Sequence, residues 1–367
     1  MIWLAFPACI ILAVRIVIVM VNLISVPFLK AAPLKGQGLV SVLIPARNEE
    51  KNLPILLKGL LNQDYPSLEI LIYNDDSSDR TQEIIETYAS EHNNIMAIRG
   101  GALPEGWSGK NNACHQLALK ARGGYFLYLD ADVTVTPDLV TKAATYMKEY
   151  DLTLLSMFPR QIMKSFGEYL TVPAMNWILL SLLPIRLIKR SHHASLSAAN
   201  GQFMMFRARE YRQHHFHQLV KEIYVEDIHI IRRVKKMGYL SQTLLSRGEI
   251  SCRMYESYRD GVFGFTRSMF AFFGGSGLTM FLFTIFSTFG VVFVWFGFSA
   301  RLALIYLVGS ILMRSVISIL SRQPLLLSLL VAPLFQASFI WMVIQSFRMK
   351  WKGENSWKGR TIQFKGI

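Results

Sequence analysis

Apolar positions fall into two regimes along the chain. Residues 2–29 carry a single charge, Arg15, and residues 278–300, 302–320 and 325–347 are similarly apolar. Each segment is about long enough to cross a hydrocarbon core of roughly 30 Å as a helix. Between them, residues 31–270 mix apolar and polar positions as a folded, water-facing domain does. The pattern predicts an N-terminal membrane helix over 1–30, a globular domain over 31–270, membrane helices over 271–347 and a basic tail over 348–367.

Inside the globular domain the periodicity alternates between strand and helix. Residues 39–46 form an apolar, β-branched run closed by Pro45. Residues 49–63 then show helical spacing through Leu53, Leu56, Leu57, Leu60 and Leu61. Strands follow at 68–75, 95–100 and 125–130, with helices at 79–92 and 111–122 and Asp79 as an expected N-cap. This rhythm predicts an α/β fold with right-handed βαβ units and a parallel sheet. Ligands bind such sheets at the carboxyl ends of the strands, where Asp75, Asp76, Asp130 and Asp132 lie. Residues 169–190 are apolar but too short for a span, and end on Arg186, Lys189 and Arg190. They suit an interfacial helix at headgroup level that delivers a lipid acceptor, with a buried core helix as the alternative.

Composition sharpens this picture. The chain has 367 residues, 52% of them hydrophobic, which exceeds what one soluble domain needs. The first segment lacks a basic n-region and is longer than a signal peptide's apolar core. Lys30 and Lys35 follow it, and the tail sets Arg348, Lys350, Lys352, Lys358, Arg360 and Lys365 against Glu354. The positive-inside rule places both flanks, and the domain, in the cytoplasm of a multi-pass cell-membrane protein. Three full crossings after a cytoplasmic domain would leave the tail outside. One C-terminal segment is therefore expected to cross incompletely, and 302–320, which holds Arg314, is the weakest.

The formal net charge is +14. Most of the excess lies beside membrane segments, where it meets anionic lipid; the sharper alternative is a basic face for a phosphate-bearing ligand. No nucleic-acid-binding module is recognisable, so nucleic acid is not expected as a partner. Cys9, Cys114 and Cys252 share no metal-ligand spacing and fit a reduced domain. His192, His193, His214, His215 and His217 read as a solvated or headgroup-facing surface rather than a metal site.

The chemistry concentrates at "YFLYLDADVTV", where an apolar run stops at Asp130 and Asp132. Two converging carboxylates repel and raise a pKa. A hard divalent cation, Mg2+ or Mn2+, removes that conflict and leaves positions open for phosphate oxygens. The alternative is a turn capped by Asp.

Together with "VLIPARNEE", "YNDDSSDRT" and "VED" (225–227), this stretch resembles the family 2 glycosyltransferases over residues 39–270. The resemblance implies the GT-A nucleotide-sugar-binding fold, a mixed, mainly parallel sheet, here flanked by transmembrane helices. "LPEGWSGKNNA" (103–113), "AANGQFMMF" (198–206), "RMY" (253–255) and "WKGR" (357–360) resemble a narrower, membrane-embedded bacterial branch. That branch glycosylates carotenoid acids, diaponeurosporenoate among them, or works in hopanoid and related lipid pathways.

The resemblance also implies roles. Pro45, Arg47, Glu49 and Asp75 would hold the uracil and ribose of a UDP sugar. Asp130 and Asp132 would set the metal against the diphosphate, with Lys110 and Arg253 near the phosphates. Glu226 and Asp227 form the acidic pair, with Asp227 as catalytic base. The structural alternatives are an Asx turn at Asp75, an ordinary turn before Lys110, a helix N-cap at Asp227, and an exposed or ion-paired Arg253. The processive synthases' QXXRW motif is absent, since the matching place reads "ISCRMYESY". The expected function is inverting transfer from UDP-glucose or a similar donor to a membrane lipid such as a carotenoid carboxylate or other isoprenoid. A polyprenyl-phosphate sugar transferase or polysaccharide synthase is the enzyme alternative. A transporter with a nucleotide-binding domain fits poorly, because few ionisable residues interrupt the apolar segments.

Overall fold

The protein is described by a computed structural model covering residues 1–30, 38–191, 193–352, 356–357 and 360–361. Lys35, His192, Glu354, Lys358 and Lys365 lie outside the described residues. The chain divides into two compact units. One comprises Pro27–Arg160 and Arg186–Arg253, the other Met1–Val26, Gln161–Ile185 and Met254–Ile367.

The first unit is built on β1 (Val40–Ala46), β2 (Leu68–Asn74), β3 (Ile95–Arg99), β4 (Tyr125–Leu129), β5 (Val133–Val135) and β6 (Leu154–Phe158). After the short β7 (Arg160–Gln161) come β8 (Phe203–Arg207), β9 (Ser241–Leu245) and β10 (Ile250–Cys252). The main sheet has seven strands in the order β3-β2-β1-β4-β8-β6-β9. β1 pairs parallel with β2 and β4, β2 with β3, and β6 with β9. Only β8 runs antiparallel, between β4 and β6. β5 pairs antiparallel with β10. The apolar runs of β1, β2 and β4 are covered on both faces, which is why they do not alternate, whereas β3 at the sheet edge is largely exposed. β6 and all of β9 are buried throughout as well.

Three helix starts differ from expectation, the first over 49–63, where the helix runs Leu53–Leu61. The helix expected from 79 begins at Thr81, with Arg80 rather than Asp79 as N-cap. Asp79 instead accepts from Thr81 N at 3.0 Å and from Glu50 N at 3.1 Å, closing the loop ahead of the helix. The helix expected from 111 begins at Gly109, because the Ser108 hydroxyl caps it by accepting from Asn111 N at 3.2 Å. The histidine reading is also corrected. His217 is 2% exposed and packs against Tyr128 and Phe206, with its Nδ1 2.6 Å from Tyr211 Oη. Burial, with Lys110 adding to it, pushes its pKa down to about 3, so it is a neutral core residue. His193 is exposed, as expected.

The second unit is helical. Among the described residues three helices are long and apolar enough to cross a membrane: Ile2–Ser25, Gly277–Gly297 and Ala300–Leu320. The segment expected to be weakest, 302–320, is thus one continuous helix of mean hydropathy 2.0. Its arginine is accommodated over aromatic rings, with the Arg314 guanidinium 4.7 Å from the Phe335 ring centre. The segment expected over 325–347 is broken instead, into Leu325–Leu330 and Ala332–Lys352. Pro333 falls in the first turn of the second piece, where its missing N–H costs nothing.

The helix Pro173–Leu182 buries every residue from Pro173 to Ser181, and so presents no apolar face outward. Its C-terminal end is closed by Asn22. The Asn22 amide donates to Leu180 O and Leu183 O, both at 2.9 Å, and its Oδ1 accepts from Ile185 N at 2.9 Å. Backbone groups left unpaired in an apolar medium each cost about 1–3 kcal/mol or more. Asn22→Leu is therefore expected to lower stability by roughly 2–4 kcal/mol. Thermal unfolding in detergent checks this against Ser25→Ala, whose exposed hydroxyl bonds only Val21 O. Equal midpoints for the two variants would rule out this role for Asn22.

Candidate active site

The carboxyl ends of β1, β2 and β4 converge, as the parallel ladder requires. Pro45 pairs with Tyr73 of β2 beyond the last β1–β4 pair at Leu43 and Tyr128, so β1 ends beside β2 alone. Arg47 Nη1 donates to Asp75 O at 2.6 Å and lies 3.8 Å from Asp75 Oδ2. Asp75 N in turn donates to Ala46 O at 2.8 Å. Glu49 N donates to Thr81 Oγ1 at 2.8 Å, which holds this loop on the start of the next helix. An Asx-type turn is made by the preceding residue, Asn74, whose Oδ1 accepts from Ser77 N at 3.1 Å. Asp76 sits at φ 55°, a left-handed conformation that Asp tolerates better than most residues.

β4 ends at Leu129 and delivers Asp130 and Asp132. Lys110, in the first turn of the helix capped by Ser108, reaches Asp130 Oδ1 at 2.8 Å and Glu226 Oε1 at 3.0 Å. Burial alone would lower the Lys110 ammonium. The carboxylates of Asp130 and Glu226 outweigh it and hold the pKa well above the ordinary lysine range. Lys110 thereby joins two acidic groups that are far apart in sequence.

Asp132 has less support. Its Oδ2 accepts from the Cys252 thiol at 3.4 Å, and its Oδ1 is buried without a hydrogen-bond partner. Burial, then Asp130, then Glu49 push its pKa up to about 7. A carboxylate oxygen with no donor, beside further negative charge, fits a bound cation better than it fits a closed protein site. Among the described residues no group of three His, Cys, Asp or Glu converges as a ready metal cage. A cation here would take the rest of its shell from ligand oxygens, as Mg2+ and Mn2+ sites on phosphates do.

Asp227 is the second residue of the helix Glu226–Lys236, whose N-cap is Val225, so the N-cap alternative is corrected. Its Oδ2 accepts from Gly201 N at 2.9 Å and its Oδ1 from Ile228 N at 2.7 Å. Burial, then Glu226, push its pKa up to about 7, against these hydrogen bonds and Lys110. Arg253 follows Cys252 directly at the end of β10.

Several supporting residues carry no signal of their own in the sequence. Gly201 lies beneath the acidic pair, where an added Cβ would sit 3.0 Å from both Glu226 Oε1 and Lys110 Nζ. Gln202 Nε2 donates to Cys252 Sγ at 2.7 Å, and its backbone carbonyl accepts from Asp130 N at 3.4 Å. Asn111, fully buried, donates to Val220 O at 2.8 Å and to Ile223 O at 2.9 Å. It ties the Lys110 helix to the loop that leads into Glu226. The motifs "AANGQF" and "GKNNA" flag these positions without revealing these roles.

The chain is similar to known proteins. The family described as Glycosyl transferase family 2 matches residues 41–214. The 4,4'-diaponeurosporenoate glycosyltransferase of Staphylococcus haemolyticus (strain JCSC1435) is 26% identical over 233 residues, or 63% of this chain and 60% of that protein. The protein of the same name from Staphylococcus aureus (strain USA300) is 33% identical over 131 residues, or 35% of this chain and 34% of that one. The chain thus spans less than two thirds of either relative's length. Among solved structures, the mannosyltransferase PcManGT from Pyrobaculum calidifontis, in complex with GDP-Man and Mn2+, matches with a TM-score of 0.56. It is 14% identical, and the match covers 94% of this chain and 99% of that one, a likeness of fold. Residues 41–214 accordingly carry the sequence signature of glycosyl transferase family 2, and the domain that contains them has the GT-A fold.

Proposed function

We propose that this protein transfers a sugar, with inversion, from UDP-glucose or a similar UDP sugar to a membrane lipid at the cytoplasmic face. The acceptor is a carotenoid carboxylate or another isoprenoid. One observation carries the reading of the centre: the unpartnered buried Oδ1 of Asp132, beside Asp130 and the Lys110-linked pair Glu226 and Asp227. The acceptor class is supported by the names of the two staphylococcal relatives.

In this reading Pro45, Arg47, Glu49 and Asp75 receive the base and ribose. Asp130 and Asp132 hold Mg2+ or Mn2+, which when bound neutralises the diphosphate of the donor. Lys110 and Arg253 face the phosphates. The acceptor oxygen forms its bond to the anomeric carbon as the carbon–oxygen bond to the diphosphate breaks, and UDP leaves with the electron pair. Where the acceptor is a hydroxyl, Asp227 takes its proton, while Glu226 and Gly201 fix the position of Asp227. A carboxylic acid acceptor, with a pKa of about 4–5, is already ionised near neutral pH and has no proton to give. A polyprenyl-phosphate sugar transferase or a polysaccharide synthase remains the alternative. Incubation with labelled UDP sugars and a total lipid extract, followed by identification of the labelled lipid, separates the two.

Asp132→Asn, and EDTA applied to the wild type, are each expected to abolish transfer, and the substitution to stabilise the metal-free protein. The folded pKa of about 7 lies above the unfolded value of 3.8, so the folded state binds the extra proton between these values. Wild-type stability therefore falls as pH rises through that window and levels off above about 7. The variant lacks this fall and loses the thermal shift produced by Mn2+. Retention of the Mn2+ shift in the variant would remove Asp132 from the metal site.

Asp227→Asn is nearly isosteric and should keep UDP-sugar affinity. With a hydroxyl acceptor turnover is expected to drop about 100- to 10,000-fold, and the wild-type rate to rise with pH through about 7. With a carboxylate acceptor the loss should be far smaller. Loss of donor affinity at normal turnover would show that Asp227 binds the donor instead.

A further inference from the structure

Asp130 and Asp132 are steadied from two different strand pairings. β8 runs antiparallel to β4 with Phe203 opposite Leu129, so Gln202 falls beside Asp130, and its backbone carbonyl accepts from Asp130 N at 3.4 Å. β10 runs antiparallel to β5 with Cys252 opposite Val133, so Cys252 falls beside Asp132. The Gln202 side chain joins the two places, since its Nε2 lies 2.7 Å from Cys252 Sγ. Both side chains are enclosed, with Cys252 1% exposed and Gln202 5% exposed.

The direction of these contacts follows from the groups themselves. An amide nitrogen can only donate, so the sulphur accepts from Gln202. The thiol's one proton is then left for Asp132 Oδ2, 3.4 Å away. A buried free cysteine is ordinarily a small apolar filler. Here Gln202 on one side and Asp132 on the other give its S–H a set direction. The consequence falls on Asp132. One of its oxygens is tied to Cys252, and the other, Oδ1, is buried without a partner. Asp130 is a like charge nearby, and without the tie the Asp132 carboxylate would relieve that repulsion by turning away. A thiol is also a weak donor, so it steers the carboxylate without satisfying it. Carboxylates that hold a cation are commonly oriented in this way by groups that do not touch it.

We propose that Gln202 and Cys252 are positioning residues for the divalent cation. Gln202 orients the thiol, the thiol holds Asp132 Oδ2, and Asp132 Oδ1 is thereby kept for the ion. Neither side chain touches the ion or the sugar. The inference rests on the proposed metal role of Asp130 and Asp132, and adds to it what sets the affinity of that site.

The test uses the full chain in neutral detergent, without donor, and follows free Mn2+ by electron paramagnetic resonance as protein is added. Cys252→Ala is expected to weaken Mn2+ binding about ten- to a hundred-fold, and Gln202→Met about several-fold. Cys252→Ser keeps a donor at the same position and should restore most of the affinity. Ile250→Val trims a fully buried apolar side chain of the same strand and should leave Mn2+ affinity as it is in the wild type. If Cys252→Ala fails to fold, Gln202→Met reads the same relay. Unchanged Mn2+ affinity in Cys252→Ala and Gln202→Met, where Asp132→Asn abolishes it, overturns this role and leaves the metal site standing. A wild type that takes up no Mn2+ overturns the metal site and this role with it. An equal loss in Ile250→Val overturns the role as well, because the effect would then be general damage to β10.

Discussion

The catalytic unit depends on one ion-paired lysine. Lys110 sits between Asp130 and Glu226, at 2.8 and 3.0 Å, and is the group through which the end of β4 and the start of the Glu226 helix meet. Its place is set by the helix beginning at Gly109, which Ser108 caps and which Asn111 pins to the 220–223 loop. An ammonium half-buried between carboxylates gains more than a surface pair does, because water screens it less. It also leaves a deficit. Asp132 and Asp227 remain in the same region with their pKa values pushed upward, mainly by burial. The centre is assembled around more negative charge than its own cation can balance.

The helical unit obeys a different constraint, since its polar groups must find partners within the protein. Asn22 closes one helix end, and Arg15 Nη2 donates to Ser181 Oγ at 3.2 Å. Tyr306 Oη donates to Phe286 O at 3.0 Å, and Gln336 Nε2 to Thr288 Oγ1 at 2.6 Å. The tyrosine fits only because residue 290 is glycine, where a Cβ would lie 2.0 Å from Tyr306 Oη. Small residues serve the same end elsewhere, with Ala5 and Ala8 packed fully buried against Val294 and Ala303. Other polar atoms of the unit stay buried without a hydrogen-bond partner, among them Thr266 Oγ1, Ser321 Oγ, Gln323 Nε2, Ser328 Oγ and Ser338 Oγ.

Legibility in the sequence followed the range of the interactions. β1, β2 and β4 were readable because strands buried on both faces are near-continuous apolar runs. The carboxylates at their ends were readable because a charge closing such a run has few structural uses. Helix ends were less so: Ser108 and Asp79 act from outside the periodic segments that announce the helices. Least legible were contacts between distant residues. Gly201 holds Asp227 across 26 positions, and Gln202 holds Cys252 across 50. No local pattern marks either. His217 misled for the same reason, since its partners Tyr128 and Phe206 come from other strands. Arg314 misled in the opposite way: a charge counted against the 302–320 helix, while the proline that breaks the following segment counted for nothing.

The acidic centre and its supports make sense together as a trade of stability for function. A sequence selected for stability alone would not leave Asp132 Oδ1 buried and unpaired, nor raise two carboxylates to about 7 within one site. Such departures from local consistency concentrate where a ligand completes the arrangement. Gly201 is the clearest sign of how tightly that arrangement is drawn. Its N–H fixes Asp227 at 2.9 Å, and its missing side chain leaves the space that the Lys110–Glu226 pair occupies. One residue therefore serves both halves of the centre, by a hydrogen bond to one carboxylate and by the absence of a methyl group beside the other. A larger residue at 201 would disturb the lysine bridge and the acidic pair at once, so the two cannot be tuned independently.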